Sequence, residues 1–77
     1  MKEIEIYISV YELVDENKKG DKLKANIEFK INETEIANRS ISVENVIKNI
    51  CSVYENSFVC AEAYFGKKDF GYNIIIK

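Results

Sequence analysis

The sequence predicts one α+β domain over residues 1–77, with a single helix laid on a four- or five-stranded mixed sheet. Three observations predict it. Strict period-two alternation recurs in separate stretches, which is the pattern of half-buried strands. One stretch alone, following Ser42, repeats its apolar residues at helical spacing. A chain of 77 residues has room for one small core and no second domain.

The first strand is residues 3–11. Ile4, Ile6, Ile8 and Val10 share one face, and Glu3, Glu5, Tyr7, Ser9 and Tyr11 share the other. Alternation fails at Glu12-Leu13, where a bulge or fraying is expected. A polar turn covers Asp15 to Gly20. Residues 22–31 then alternate again, with Leu23, Ala25, Ile27, Phe29 and Ile31 inward. Folding the two strands together so that Ile8 meets Ile27 also brings Ile6 to Phe29, Ile4 to Ile31, Glu5 to Lys30 and Tyr11 to Lys24. One register satisfies both faces, which is what specifies a hairpin. Charge agrees: residues 1–16 are acidic and residues 17–30 basic.

Residues 33–41 read either as a further strand from Thr34 to Ile41 or as a loop. Ser42 is a good helix N-cap, with Ile41 and Val46 at staple positions. Val43, Val46, Ile47, Ile50, Cys51 and Tyr54 form the apolar stripe, and Asn56 suits a left-handed C-terminal position. Residues 58–65 form a strand whose Ala61 and Ala63 leave room for the helix, and Gly66 to Asp69 turn into the last strand. The apolar run Ile74-Ile75-Ile76 suggests a central place for that strand.

A helix between two hairpins on one sheet is the β-grasp arrangement. Lys24 to Phe29, the ending Gly71 to Lys77, and Thr34, Ala37 and Ser42-Val43-Glu44 between them resemble the light-chain-binding domains of bacterial protein L. The resemblance covers residues 22–77 and implies a β-grasp-like sheet. It also implies immunoglobulin binding through positions Glu35 to Arg39. The chain departs from that family in its two cysteines and in the strand at 3–11.

Composition argues against most chemistry. There is no His, so the commonest general base and the commonest metal ligand are missing. The three glycines fall in turns rather than in a phosphate loop. Cys51 and Cys60 read as packing residues. We therefore expect no enzyme, no cofactor and no metal. With no apolar run near 20 residues and no leader pattern, we expect no membrane and a cytoplasmic location. The net charge of −2 makes nucleic acid an unfavoured partner.

What rises above this background is aromatic residues on outward faces: Tyr7 and Tyr11 on the first strand, Tyr64 and Phe58 on the later one. The candidate partner-binding set is Tyr7, Tyr11, Glu3, Glu5, Lys24 and Tyr64. It points to a small non-catalytic module that binds a protein or a second copy of itself. Its sharper form is a phage or mobile-element inhibitor of a host defence protein, of the anti-CRISPR kind, acting by occlusion. Two alternatives stand beside it, an immunoglobulin-binding-type domain and a single-stranded nucleic-acid binder stacking bases on its tyrosines.

Overall fold

The computed structural model describes residues 3–32 and 39–77. The elements run β1 (Glu3–Val14), β2 (Lys18–Asn32), α1 (Arg39–Cys51), β3 (Ser57–Phe65) and β4 (Lys68–Ile76). They form one sheet in the order β2-β1-β3-β4, and every neighbouring pair is antiparallel.

This corrects the β-grasp-like mixed sheet. The molecule is mostly β, a wholly antiparallel sheet with one short helix. Two hairpins can be joined through several strand pairs, and element order alone does not choose among them. Size matching does. Against β1, Ala63 opposes Ile6, Ala61 opposes Ile8 and Val59 opposes Val10 on the inner face. Small residues against large ones let the layer close without voids. The last strand is accordingly an edge rather than a centre. Its apolar run reflects two separate uses: Ile74 is buried under the helix, whereas Ile75 lies on the opposite face and is 41% exposed.

The β1–β2 hairpin follows the expected register from Ile4↔Ile31 through Ile8↔Ile27. It then slips. Val10 opposes Ala25 but Tyr11 opposes Leu23, so Lys24 is passed over as a bulge residue. The bulge turns Leu23 from the inner face to the outer one, where it is 45% exposed. A second slip before Leu13↔Lys19 places Gly20 against β1. A Cβ there would stand 2.9 Å from the Glu12 carbonyl oxygen and 2.9 Å from Val14 Cγ2, so only glycine fits.

The helix begins at Arg39, three residues before the expected N-cap, and ends at Cys51. Once a helical nucleus exists, each added residue contributes another backbone bond, and this outweighs the capping preference of Ser42. The expected strand at 34–41 is corrected at its C-terminal end, because Arg39 to Ile41 are helical; residues 33–38 lie outside the described residues. At the other end Ser52 Oγ donates to the Asn49 carbonyl at 2.8 Å, and Tyr54 N–H donates to the Cys51 carbonyl at 2.9 Å. These local bonds compete with the helical ladder and stop it before Tyr54. Asn56 does adopt a left-handed backbone, with φ 52°, but in the loop leading to β3.

The core lies between the helix and the inner sheet face. Val43, Ile47 and Cys51 meet Ile4, Ile6, Ile8, Val10, Val59, Ala61, Ala63 and Ile74. The inward residues of β2, namely Ala25, Ile27, Phe29 and Ile31, are only partly buried and flank this cluster. Among the described residues no helix or strand covers the sheet's outer face.

Candidate functional site on the open sheet face

Antiparallel pairing sets the outer-face residues in rows across the four strands, because directly opposed residues share a face. From one end of the sheet the rows read Lys30, Glu5, Tyr64, Asp69; then Glu28, Tyr7, Glu62, Gly71; then Asn26, Ser9, Cys60, Asn73; then Leu23, Tyr11, Phe58, Ile75. The first two rows are acidic with two tyrosines. The third is small and polar. The fourth is apolar and is continued by Lys19, whose Nζ sits 4.0 Å from the centroid of the Tyr11 ring.

A trough of about 580 Å³ runs between the second and fourth rows. Tyr7 and Tyr11 line its two ends, about 13 Å apart along one strand. Its floor is Ser9, Cys60, Gly71 and Asn73, with Glu62 at the side. The depression exists because the floor residues are short and Gly71 has no side chain at all. Ser9 Oγ donates to Asn26 Oδ1 at 3.0 Å, which fixes one wall.

At the acidic end Tyr7 and Tyr64 meet edge to face, with ring centroids 5.6 Å apart. The Tyr7 hydroxyl donates to Glu5 Oε2 at 3.2 Å, and the Tyr64 hydroxyl donates to Glu62. These bonds to carboxylates, and the negative charge around them, hold both phenols above the ordinary tyrosine pKa. Both tyrosines therefore act as neutral donors. Glu5, Glu28, Glu62 and Asp69 share this end of the face with Lys30.

Five of the six expected partner-binding residues fall on or beside this surface. Tyr7 and Tyr11 wall the trough, Glu5 and Tyr64 complete the acidic end, and Glu3 lies beyond it, exposed and opposite Asn32. Lys24 does not belong with them. The bulge aims it at the opposite end of the core, where its Nζ donates to the Glu55 carbonyl (3.0 Å), the Asn56 carbonyl (3.1 Å) and Ser57 Oγ (3.0 Å). Leu13 N–H donates to the same Asn56 carbonyl at 3.1 Å. Lys24 thus ties the first hairpin to the α1–β3 loop. Lys24→Met should lower stability by about 1–3 kcal/mol in a urea melt, because Ser57 is buried and loses a charged donor. A loss under about 0.5 kcal/mol would mean that water replaces the ammonium without cost.

The sequence did not single out Glu28, Glu62, Asp69, Ser9, Gly71 or Asn73. Glu28 was within reach, since the hairpin register already sets it opposite Tyr7. The others depend on β1 pairing with β3, which no local pattern reveals.

Cys51 is buried in the core, but Cys60 floors the trough and is not a core residue. Burial raises the pKa of both thiols, with Lys19 acting in the other direction on Cys60. Among the described residues no three His, Cys, Asp or Glu side chains stand close enough to hold a metal. No helix among them is long and apolar enough to cross a membrane. No protein-family model, curated protein or solved structure matches the chain, so its function must be argued from this face.

Proposed function

We propose that the protein is a non-catalytic binding module whose open sheet face docks on a basic surface of a protein partner. The observation that carries this is the gathering of Glu5, Glu28, Glu62 and Asp69 around Tyr7 and Tyr64 on an uncovered face. Aromatic anchors beside a trough and a charged surround match the anatomy of protein interfaces. In its sharper form, the acidic end occupies a cationic, phosphate-binding channel of a host defence protein, and the chain is an inhibitor from a phage or mobile element. The same carboxylates repel nucleic-acid phosphates and so weigh against base stacking on Tyr7 or Tyr64.

Tagged protein incubated with bacterial lysate should retain a basic partner that Glu5→Lys/Glu62→Lys fails to retain. Reversing charges at an interface mainly slows association and weakens its salt dependence. A gel shift with single-stranded DNA and RNA, run in parallel, should show no complex. A partner held equally by the reversed variant, or a salt-sensitive nucleic-acid shift, would reject the proposal.

A further inference from the structure

Among the described residues β2 and β4 are the two edges of the sheet, and they are built differently. β2 carries Lys18, Lys19, Lys22, Lys24 and Lys30 and two register slips, the usual devices that stop an edge from pairing. β4 has a single lysine, Lys68 at its first position, and none of these devices between Asp69 and Ile76. It carries no lysine there and no proline, and its register with β3 is unbroken from Ser57↔Ile76 to Phe65↔Lys68. Phe70 and Ile75 are also 38% and 41% exposed on this strand. An edge of unbroken register whose charges stand only at its two ends is a template for another strand.

We propose that β4 pairs antiparallel with β4 of a second copy, in the register that sets Asn73 opposite Asn73 across a two-fold axis. Three matches select this register. Asp69 comes opposite the partner's Lys77, twice by symmetry. The partner's Ile75 comes opposite Gly71, so an exposed branched side chain covers the one position that has none. Phe70 comes opposite the partner's Ile76 on the helix side. The two Asn73 amides meet at the axis, where each can both donate and accept. Shifting the register by one residue in each copy would set Tyr72 against itself and leave Asp69 facing Ile75, losing both charge pairs. Pairing of β4 with β2 of another copy would grow without closing and would meet the lysine-rich edge, whereas the two-fold contact closes.

One competing arrangement is face-to-face dimerisation with parallel strands, and charge disfavours it. A two-fold axis along the strands would press the acidic rows of both copies together. Edge pairing instead sets the two outer faces side by side on one eight-stranded sheet, with Asp69 and Gly71 at the seam and the rows of β1 and β3 left open.

Sedimentation velocity should give a species of twice 8.9 kDa at high concentration. Asp69→Lys should raise its dissociation constant about tenfold or more, and Asp69→Lys/Lys77→Asp should restore it. Register is read by cross-linking in a Cys60→Ser background, because Cys60 is the cross-strand neighbour of Asn73 and would otherwise capture a new thiol within the same chain. There, Asn73→Cys should oxidise readily to a covalent dimer. Ile75→Cys should not, because its two copies would lie about 13 Å apart, beyond the roughly 7 Å limit for a disulfide. Circular dichroism checks that each variant is folded. A wild-type chain that stays monomeric to about 1 mM, or equal cross-linking at both positions, would overturn the pairing.

Discussion

Ile47→Ala is expected to destabilise the protein by about 2–5 kcal/mol, the largest effect of any single truncation on the helix. Ile47 is fully buried at the middle of the helical stripe. The core it belongs to includes Ala61 and Ala63, which have no spare length with which to fill a hole. The bulky core residues Ile6 and Ile8 are held by pairing on both sides of β1 and move little. A domain of this size has roughly 4–12 kcal/mol of stability in all. The variant should therefore melt about 10–30 °C lower, or fail to fold at the upper end of that range. Ile50→Ala should cost distinctly less. Ile50 belongs to the expected stripe, but the helix is turned so that Ile50 is only partly buried. Urea melts of the two variants decide this: an Ile47 loss below about 1 kcal/mol, or an Ile50 loss equal to it, would mean that the helix packs on a different stripe.

The contrast between Ile47 and Ile50 shows where sequence reasoning runs out. Local alternation plus opposite charge specified the pairing of Ile4, Ile6 and Ile8 with Ile31, Phe29 and Ile27, because a slip of one residue would have exposed every isoleucine. Alternation continues undisturbed through Leu23, so nothing in residues 22–31 announces that Lys24 bulges and that Leu23 changes face. The signal lies elsewhere, in the broken pattern at Glu12-Leu13 and in Gly20, whose missing side chain lets the strands approach. Helix limits were less legible still. A serine that could cap at Ser42 is also tolerated inside a helix, at a cost smaller than the added backbone bonds. The site was legible as far as β1 alone could show it. Tyr7, Tyr11 and Glu5 are neighbours on one strand, whereas Glu62, Tyr64 and Asp69 joined them through a long-range pairing that local periodicity does not encode.

Tyr7→Ala and Tyr11→Ala should each weaken partner binding at least about 30-fold, corresponding to the loss of about 2 kcal/mol or more per interface anchor. The two rings wall opposite ends of one trough, so either loss opens it. Their environments predict different companions to that loss. Tyr7 is 39% exposed and its ring contact is the edge-to-face pair with Tyr64, so its removal should cost about 0.5–1.5 kcal/mol and leave the protein folded. Tyr11 lies in the apolar row between Leu23 and Phe58 with Lys19 over its ring, and its removal should also cost some stability. Tyr7→Phe separates ring from hydroxyl. It keeps the wall and frees Glu5 from its internal hydrogen bond, leaving that carboxylate available to a cationic partner. Binding by Tyr7→Phe should stay within about threefold of wild type. Isothermal titration of the partner recovered from lysate against the three variants measures all of this. Normal binding by both alanine variants would reduce the tyrosines to ordinary cross-strand packing and move the search to the polar side of the helix, around Glu44 and Lys48.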